Sequence, residues 1–388
     1  MSDRSLIFPA SEYRQRIARL QAQLAAKDCD ALLLTSAADI FYTTGFLTRF
    51  WESPARPWFV IVPARGDPIA VIPSIGADLM GRTWMPDIRT WNAPDPRDDG
   101  VTLLSDTLRE VTPETGRIAT PMGLETHLRM PLADYHAVQH DIAPRQFIDG
   151  TDVIQRVREI KSDSEITKIH DICQIADRAF ACVPEFAMEG KGIDAIFRDF
   201  QIALLAEGAD WVSYVAGGAG QGGYGDVISP APATPLAKGD ILMLDTGAVK
   251  DGYFCDFDRN FAIGTPNAAT ARCHDALWHA TQDALEQLRP GMTARDLWAI
   301  LNNGLTSRGA TPLGGRFGHG LGITLTEWPS LTPLDDTELR SGMVLTLEPG
   351  AVVEGDRILV HEENIVLRDE GPELLTTRAP QTLMTLAE

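Results

Sequence analysis

The sequence predicts two domains of different class: an α/β domain over residues 1–155, then an α+β domain over residues 156–388. Apolar runs of strand length alternate with helical periodicity in the first part. In the second, the order helix, helix, hairpin occurs twice, and the turn-forming stretch Asp149-Gly150-Thr151 lies between the two parts. At 388 residues the chain has the length of two or three domains and can bury a large core.

Tyr13, Ile17, Leu20 and Leu24 recur at helical spacing and predict a helix over Ser11 to Lys27. The strand Ala31-Leu32-Leu33-Leu34-Thr35 follows. Trp58-Phe59-Val60-Ile61-Val62 and Ile69-Ala70-Val71-Ile72 flank the turn Arg65-Gly66-Asp67-Pro68 and predict a hairpin. Asn92 to Gly100 is rich in Pro and Asp and reads as a loop, with a helix around Asp106 beyond it. In the second domain Ser162 and Glu165 form a capping box that opens a long helix through Ile166, Ile169, Ile172 and Ile175. Further helices are expected over Asp194 to Glu207, Asn267 to Leu288 and Thr293 to Arg308, each ended by Gly or Pro-Gly. The two helix, helix, hairpin copies share no sequence identity, so the repeat is one of architecture.

Lys plus Arg is 34 and Asp plus Glu is 54, a net charge of −20. That balance argues against a nucleic-acid or anionic-membrane partner. The five cysteines are scattered, odd in number and without CxxC spacing, which predicts reduced thiols and a cytoplasmic protein. No apolar run approaches about 18 residues, and none of signal-peptide length follows Met1.

Chemistry concentrates in five residues of the second domain: Asp245, Asp256, His319, Glu348 and Glu363. The run Ile241-Leu242-Met243-Leu244 turns near Lys250-Asp251-Gly252 and returns through Tyr253-Phe254-Cys255. A turn at Lys250-Asp251 sets Asp245 opposite Asp256; one at Asp251-Gly252 sets it opposite Asp258, with Asp256 diagonal on the same face. Two carboxylates about 5 Å apart on one face repel unless a cation lies between them. A second hairpin, Met343 to Glu348 returning through Arg357 to Leu367, pairs Glu348 with Glu363 when a two-residue loop sits at Gly355-Asp356. A slip of one residue would turn Glu363 away and bring Glu362 in. His319 stands in Gly314-Gly315-Arg316-Phe317-Gly318-His319-Gly320-Leu321-Gly322, where glycines let the backbone pack closely around an imidazole. Four carboxylates and one imidazole make a cage for two divalent ions, manganese first, with iron, cobalt or zinc as alternatives.

These motifs, Leu244-Asp245-Thr246-Gly247, Asp256-Phe257-Asp258-Arg259, Gly318-His319-Gly320-Leu321-Gly322, Glu327-Trp328-Pro329 and Leu347-Glu348-Pro349-Gly350, together resemble those of the creatinase, prolidase and aminopeptidase P family. The resemblance covers nearly the whole chain and implies an N-terminal α/β domain and a pita-bread catalytic domain. It further implies a dinuclear metallopeptidase-like site in which Asp245 chelates one ion, Asp256 and Glu363 bridge, and His319 and Glu348 complete the shell. Glu348 would then move the proton from an attacking water to the leaving nitrogen of an amide-type C–N bond. Xaa-Pro dipeptidase or aminopeptidase activity is the expectation.

Three departures touch the substrate side. Ile228 stands eleven residues before Gly239, where Xaa-Pro peptidases place a substrate-facing His; Thr326 replaces a second family His seven residues past His319; and His361 replaces an Arg two residues before Glu363. They point away from proline specificity and toward a non-peptide relative, an ectoine hydrolase-like or creatinase-like C–N hydrolase or a dimethylsulfoniopropionate lyase-like enzyme. There His361, Glu362 or Asp258 would supply acid/base chemistry. A third reading is an inactive pita-bread binding module, against which retention of all five ligand positions argues. Tyr224 is expected to face substrate, as are Arg49 and Trp51, since similar proteins form homodimers in which a loop of this region reaches the partner's site.

Overall fold

The computed structural model describes residues 7–51 and 56–386. The chain divides into two units, Met1–Arg158 and Glu159–Glu388.

The first unit begins with helix α1 (Ala10–Ala26), which buries Tyr13, Ile17, Leu20 and Leu24, the residues the spacing singled out. Its sheet comprises β1 (Ala31–Leu34), β2 (Phe59–Pro63), β3 (Ile69–Pro73), β4 (Asp87–Trp91), β5 (Arg117–Thr120) and β6 (Gln146–Asp149), in the order β4-β3-β2-β1-β5-β6. The expected hairpin is the antiparallel pair β2 and β3, with Phe59 opposite Val71. Every residue of β1, β2 and β3 is buried, which is why these strands read as unbroken apolar runs. Helices α2 (Ala37–Thr44), α3 (Ala77–Met80), α4 (Val101–Val111), α5 (Leu132–Asp141) and α6 (Thr151–Arg158) complete the unit.

The second unit opens with α7 (Asp163–Ala181), started by the expected capping box: the Glu165 amide donates to the Ser162 hydroxyl at 3.2 Å and the Ser162 amide to the Glu165 carboxylate at 3.0 Å. Helices α8 (Val183–Phe186) and α9 (Ile193–Ala206) lead to strands β7 (Trp211–Gln221), β8 (Asp240–Lys250), β9 (Tyr253–Phe254) and β10 (Phe257–Ile263). Then come α10 (Ala268–Gln287), capped by Asn267, and α11 (Ala294–Ser307), which carries a capping box of Thr293 and Asp296. The remaining strands are β11 (Thr311–Pro312), β12 (His319–Gly320), β13 (Glu327–Ser330), β14 (Val344–Leu347), β15 (Gly350–Glu354), β16 (Arg357–Val360), β17 (Glu363–Arg368), β18 (Gly371–Leu374) and β19 (Met384–Leu386). They form three sheets, ordered β19-β10-β8-β7, β11-β15-β16 and β13-β12-β14-β17-β18. Helices α10 and α11 pack Leu277, Ala280 and Leu301 into a core shared with Ile241 and Met243 of β8, Leu345 of β14 and Ile365 of β17.

The two acidic strand pairs differ in how their register is set. In the first, Lys250 pairs with Tyr253 around Asp251 and Gly252, whose φ values of 51° and 81° define the left-handed two-residue turn that suits a hairpin. Asp245 therefore lies opposite Asp258, and Asp256 is the diagonal neighbour. In the second, Glu354 pairs with Arg357 across Gly355-Asp356, as the sequence predicts, but the register then shifts between Val352 and Glu354. The extra residue, Val353, is a β-bulge. Below it Val352 pairs with Ile358, and further down Leu347 pairs with Glu363. Glu348 is thereby aligned with Glu362, and the expected pairing with Glu363 is corrected by one residue.

Candidate metal centre

Among the described residues, one group of His, Cys, Asp and Glu brings three ligand atoms within 4.8 Å of one another: Asp245, Asp256 and Glu362. His319 joins it, with Nε2 3.3 Å from Asp256 Oδ2 and 4.0 Å from Glu348 Oε2. Four of the five expected ligands thus converge, and Glu362 stands where Glu363 was expected.

Each side chain is aimed by its strand. Asp245 is at the middle of β8, and Asp256 immediately precedes β10. Asn364 of β17 clamps the Asp256 backbone, its Oδ1 accepting from the Asp256 amide at 3.0 Å while its Nδ2 donates to the Asp256 carbonyl. Gly318, at φ 140°, precedes His319 because a Cβ there would stand 2.2 Å from the Thr346 carbonyl oxygen. The His319 amide then donates to Thr346 Oγ1 at 3.1 Å. His319 Nδ1 is 2.8 Å from the Gly320 carbonyl, which can only accept. That contact puts a proton on Nδ1, so that Nε2, which faces the carboxylates, is the nitrogen that would give up its proton to ligate a metal.

The electrostatics are those of a site awaiting positive charge. Burial, then the charges of Asp256, Asp258 and Glu348, pushes the Asp245 carboxyl well above its usual range. Burial and the same kind of neighbours, Asp256 first, push Glu362 well up. Burial likewise raises Glu348, partly offset by His319. Burial alone would lower His319, but the hydrogen bond to Asp256 and the charge of Glu348 more than reverse that. Glu362 Oε1 is buried without a hydrogen-bond partner. An orphaned carboxylate oxygen among like charges, beside a correctly protonated imidazole, fits divalent cations bound by Asp245, Asp256, His319, Glu348 and Glu362.

Glu363 projects to the other face of β17 and is fully internal in its bonding. Its carboxylate accepts from Arg259 Nη2 at 3.0 Å, from the Ala379 amide at 2.8 Å and from the Thr376 hydroxyl. His361 shares that face: Nε2 is 3.8 Å from Glu363 Oε1 and 3.4 Å from Arg378 Nη1. Burial, then Arg378, holds it well below the usual imidazole range. It lines a cavity of about 360 Å³ with His274 and Arg378, so the expectation that it works beside the cluster is not met. Counted from Glu362, the position two residues earlier is Val360.

Tyr224 is also corrected. It is completely buried, pairs its backbone with Ile358, and its hydroxyl accepts from the Val360 amide at 2.7 Å, so it belongs to the core. Ile228 is 87 % exposed on a turn held by Asp226. Thr326 is half-buried, and its carbonyl accepts from Thr324 Oγ1 at 3.0 Å. Arg49 and Trp51 lie in the first unit, where Trp51 packs on Phe46 and Trp58 and under Arg129.

Three further residues support the cluster: Tyr214, which went unread in the sequence, Asp258, named there for acid/base chemistry, and Glu327, read only as part of a motif. Tyr214 of β7 sets its hydroxyl 3.2 Å from Asp245 Oδ1 and closer still to Asp256 Oδ1. Asp258 accepts from the Glu362 amide at 2.9 Å, and burial pushes its carboxyl up to about 8. Glu327 organises the loop after His319: Oε1 accepts from the amides of Ile323 at 2.9 Å and Thr324 at 3.2 Å, and Oε2 from the buried Lys161 at 3.0 Å. Glu327 was signalled by the Glu327-Trp328-Pro329 motif and Asp258 by its place opposite Asp245 in one register; Tyr214 carried no signal.

Residues 167–370 match the model of metallopeptidase family M24, and residues 16–160 match the creatinase/prolidase N-terminal domain. The chain belongs to metallopeptidase family M24, a family of metal-dependent hydrolases with the pita-bread fold. A probable dipeptidase PepE of Mycobacterium bovis is 29 % identical over 383 residues, 98 % of each chain. An Xaa-Pro dipeptidase of Pyrococcus horikoshii is 30 % identical over 264 residues, 66 % of this chain and 72 % of that one. The crystal structure of dipeptidase PepE from Mycobacterium ulcerans aligns over 98 % of this chain and 100 % of its own, with a TM-score of 0.83 at 25 % identity. Among the described residues no helix is long and apolar enough to cross a membrane.

Proposed function

We propose that this chain is a manganese-dependent dipeptidase, acting as a cytoplasmic homodimer on short peptides that include Xaa-Pro. The observation that carries the reading is the convergence of Asp245, Asp256, Glu362, His319 and Glu348, with one carboxylate oxygen left unpartnered inside. Divalent ions bound there would activate a water and stabilise the oxyanion formed at the scissile carbonyl. The protein's part is to hold and orient. Tyr214 fixes the Asp245 and Asp256 carboxylates, Asn364 fixes the Asp256 backbone, and the Gly320 carbonyl fixes the His319 tautomer. Glu348, half-buried at the solvent side of the cluster, receives the proton of the attacking water and returns it to the leaving nitrogen. The dipeptidase names of the relatives, over nearly the full length for PepE, support the substrate class.

Thr326 and Val360 support a second reading, in which the substrate is a small non-peptide amide or amidine, because neither side chain can donate a cationic hydrogen bond to a peptide. One assay separates the two. Purified protein, with and without Mn²⁺, is offered Xaa-Pro and other dipeptides, ectoine, creatine and dimethylsulfoniopropionate. Mn²⁺-stimulated dipeptide cleavage is expected; turnover confined to a non-peptide compound would transfer the assignment.

A further inference from the structure

The cavity of about 360 Å³ beside His361 is of a size to admit a small molecule, at the lower end of the roughly 300–1,000 Å³ usual for ligand sites. It is bounded by α7, β10, α10 and the chain from Thr377 to Met384. Phe180, Phe261 and Ala379 give it buried apolar walls, and the exposed residues Ala181, Pro380 and Met384 mark its mouth.

Its charge is out of keeping with the chain. In a protein of net charge −20, three arginines and two histidines line this one space, against two aspartates. Two of the arginines are matched: Arg178 Nε lies 2.7 Å from Glu207, and Arg259 Nη2 lies 3.0 Å from Glu363. Arg378 is not. The carboxylate oxygen nearest to it, Glu363 Oε1, is 3.6 Å away and already accepts from the Ala379 amide at 2.8 Å. Arg378 Nη2 donates to the Trp278 carbonyl at 2.8 Å, Nη1 is 3.4 Å from His361 Nε2, and Nε is buried without a partner. The guanidinium is held in place over the Trp278 ring, 4.8 Å from its centre, with its charge incompletely answered.

The same cavity has acceptors to spare. His274 Nε2 is 3.1 Å from the Pro380 carbonyl, which can only accept, so Nε2 carries the proton. Burial pushes the pKa of this imidazole down, and the neutral ring leaves Nδ1 a bare acceptor, buried and without a partner. Asp177 accepts from the Thr377 amide at 2.6 Å through Oδ2, while its Oδ1 has Arg259 only at 3.9 Å.

We propose that this cavity is a second ligand site, built for a free apolar α-amino acid. The carboxylate would lie on Arg378, the ammonium on His274 Nδ1 and Asp177, and the side chain against Phe180 and Phe261. A guanidinium is suited to a carboxylate by its parallel N–H donors. A simple anion would leave the His274 acceptor unserved, and a hydrocarbon would leave both orphaned atoms so, each at the cost of a buried polar group without a hydrogen bond. The site stands apart from the dipeptidase reading, since neither metal nor peptide enters it.

Equilibrium dialysis of the Mn²⁺-loaded, full-length protein against labelled L-leucine reads the binding directly. Saturable binding with a Kd on the order of 0.1 mM is expected. Arg378→Ala should weaken it about 10- to 100-fold and His274→Phe about 3- to 10-fold. Ala181→Phe, a change at an exposed helix end that leaves the core untouched, should block the mouth and abolish it, and carries the test should Arg378→Ala fail to fold. As competitors, L-leucinamide should be weaker than unlabelled leucine about 10- to 100-fold and 4-methylpentanoate about 3- to 10-fold. Inorganic phosphate should not compete. No saturable binding, or binding that survives both Arg378→Ala and Ala181→Phe, would overturn the assignment. Displacement by phosphate as effective as by leucine would reduce the cavity to a plain anion site and overturn it equally.

Discussion

Glu362 and Glu363 are adjacent, both buried, and treated oppositely by the fold. Glu363 faces Arg259, Thr376 and the Ala379 amide, so its charge is neutralised and both oxygens are satisfied from within the chain. Glu362 faces Asp245 and Asp256, with Oε1 unpartnered and its carboxyl pushed well up, burial first among the causes. A buried carboxylate whose partners are supplied internally is part of the architecture. One that is left unmatched beside other carboxylates is reserved for something outside the chain.

The contrast can be broken most severely at Glu362. Glu362→Gln should lower turnover on the order of 1,000-fold, since several kcal/mol of charge stabilisation go with the metal. Bound Mn²⁺, measured by elemental analysis, should fall with it, while the thermal unfolding midpoint of the metal-free protein holds or rises. Glu363→Gln should do the reverse. Leaving the buried Arg259 with only the more distant Asp177, 3.9 Å away, costs at most about 3–5 kcal/mol, visible in urea unfolding, yet the folded fraction should keep its metal. Equal metal loss in both variants would erase the distinction drawn here.

A smaller effect is expected one step out from the ligands. Tyr214→Phe removes the hydroxyl shared by Asp245 and Asp256 and should weaken Mn²⁺ binding or activity about 10- to 100-fold, read by titration.

The mildest test is a pH profile. Asp245, Glu362 and Asp258 all have carboxyl groups raised above the unfolded range, so their protonated forms favour the folded state. Their stabilising contribution is full below the ordinary carboxylate pKa and is lost as pH climbs through the folded values, which for Asp258 reach about 8. The unfolding midpoint of metal-free protein should therefore decline over that window. Excess Mn²⁺ should flatten the decline, and Asp258→Asn should remove a share of it.

Much of this was legible in the residues. The apolar strands of the first unit and the capping box at Ser162 are written in local chemistry that no distant contact overrides, and the first hairpin turn was narrowed to two registers, of which the one at Asp251-Gly252 forms. That Asp245, Asp256, His319 and Glu348 come near one another was likewise readable, because strand alternation sets the acids on one face and glycines let the imidazole approach. The choice between Glu362 and Glu363 was not. It depends on Val353, an ordinary strand former with nothing in its sequence to mark a bulge. Tyr214 escaped notice for a related reason: it becomes informative only once β7 lies beside β8, a pairing between residues far apart in the chain. Tyr224 was misjudged because an aromatic in a glycine-rich stretch looks available, whereas the fold seals it inside.

The bulge at Val353 gives the hairpin tip the role of a vernier. Which glutamate the centre sees is decided by the residue count some distance up the ribbon, where the chain otherwise looks indifferent to sequence. Lengthening or trimming that tip by a single residue would present Glu363 in place of its neighbour and strand Arg259 at the same stroke. Loop grafts and tags placed there should therefore add or remove residues only in pairs.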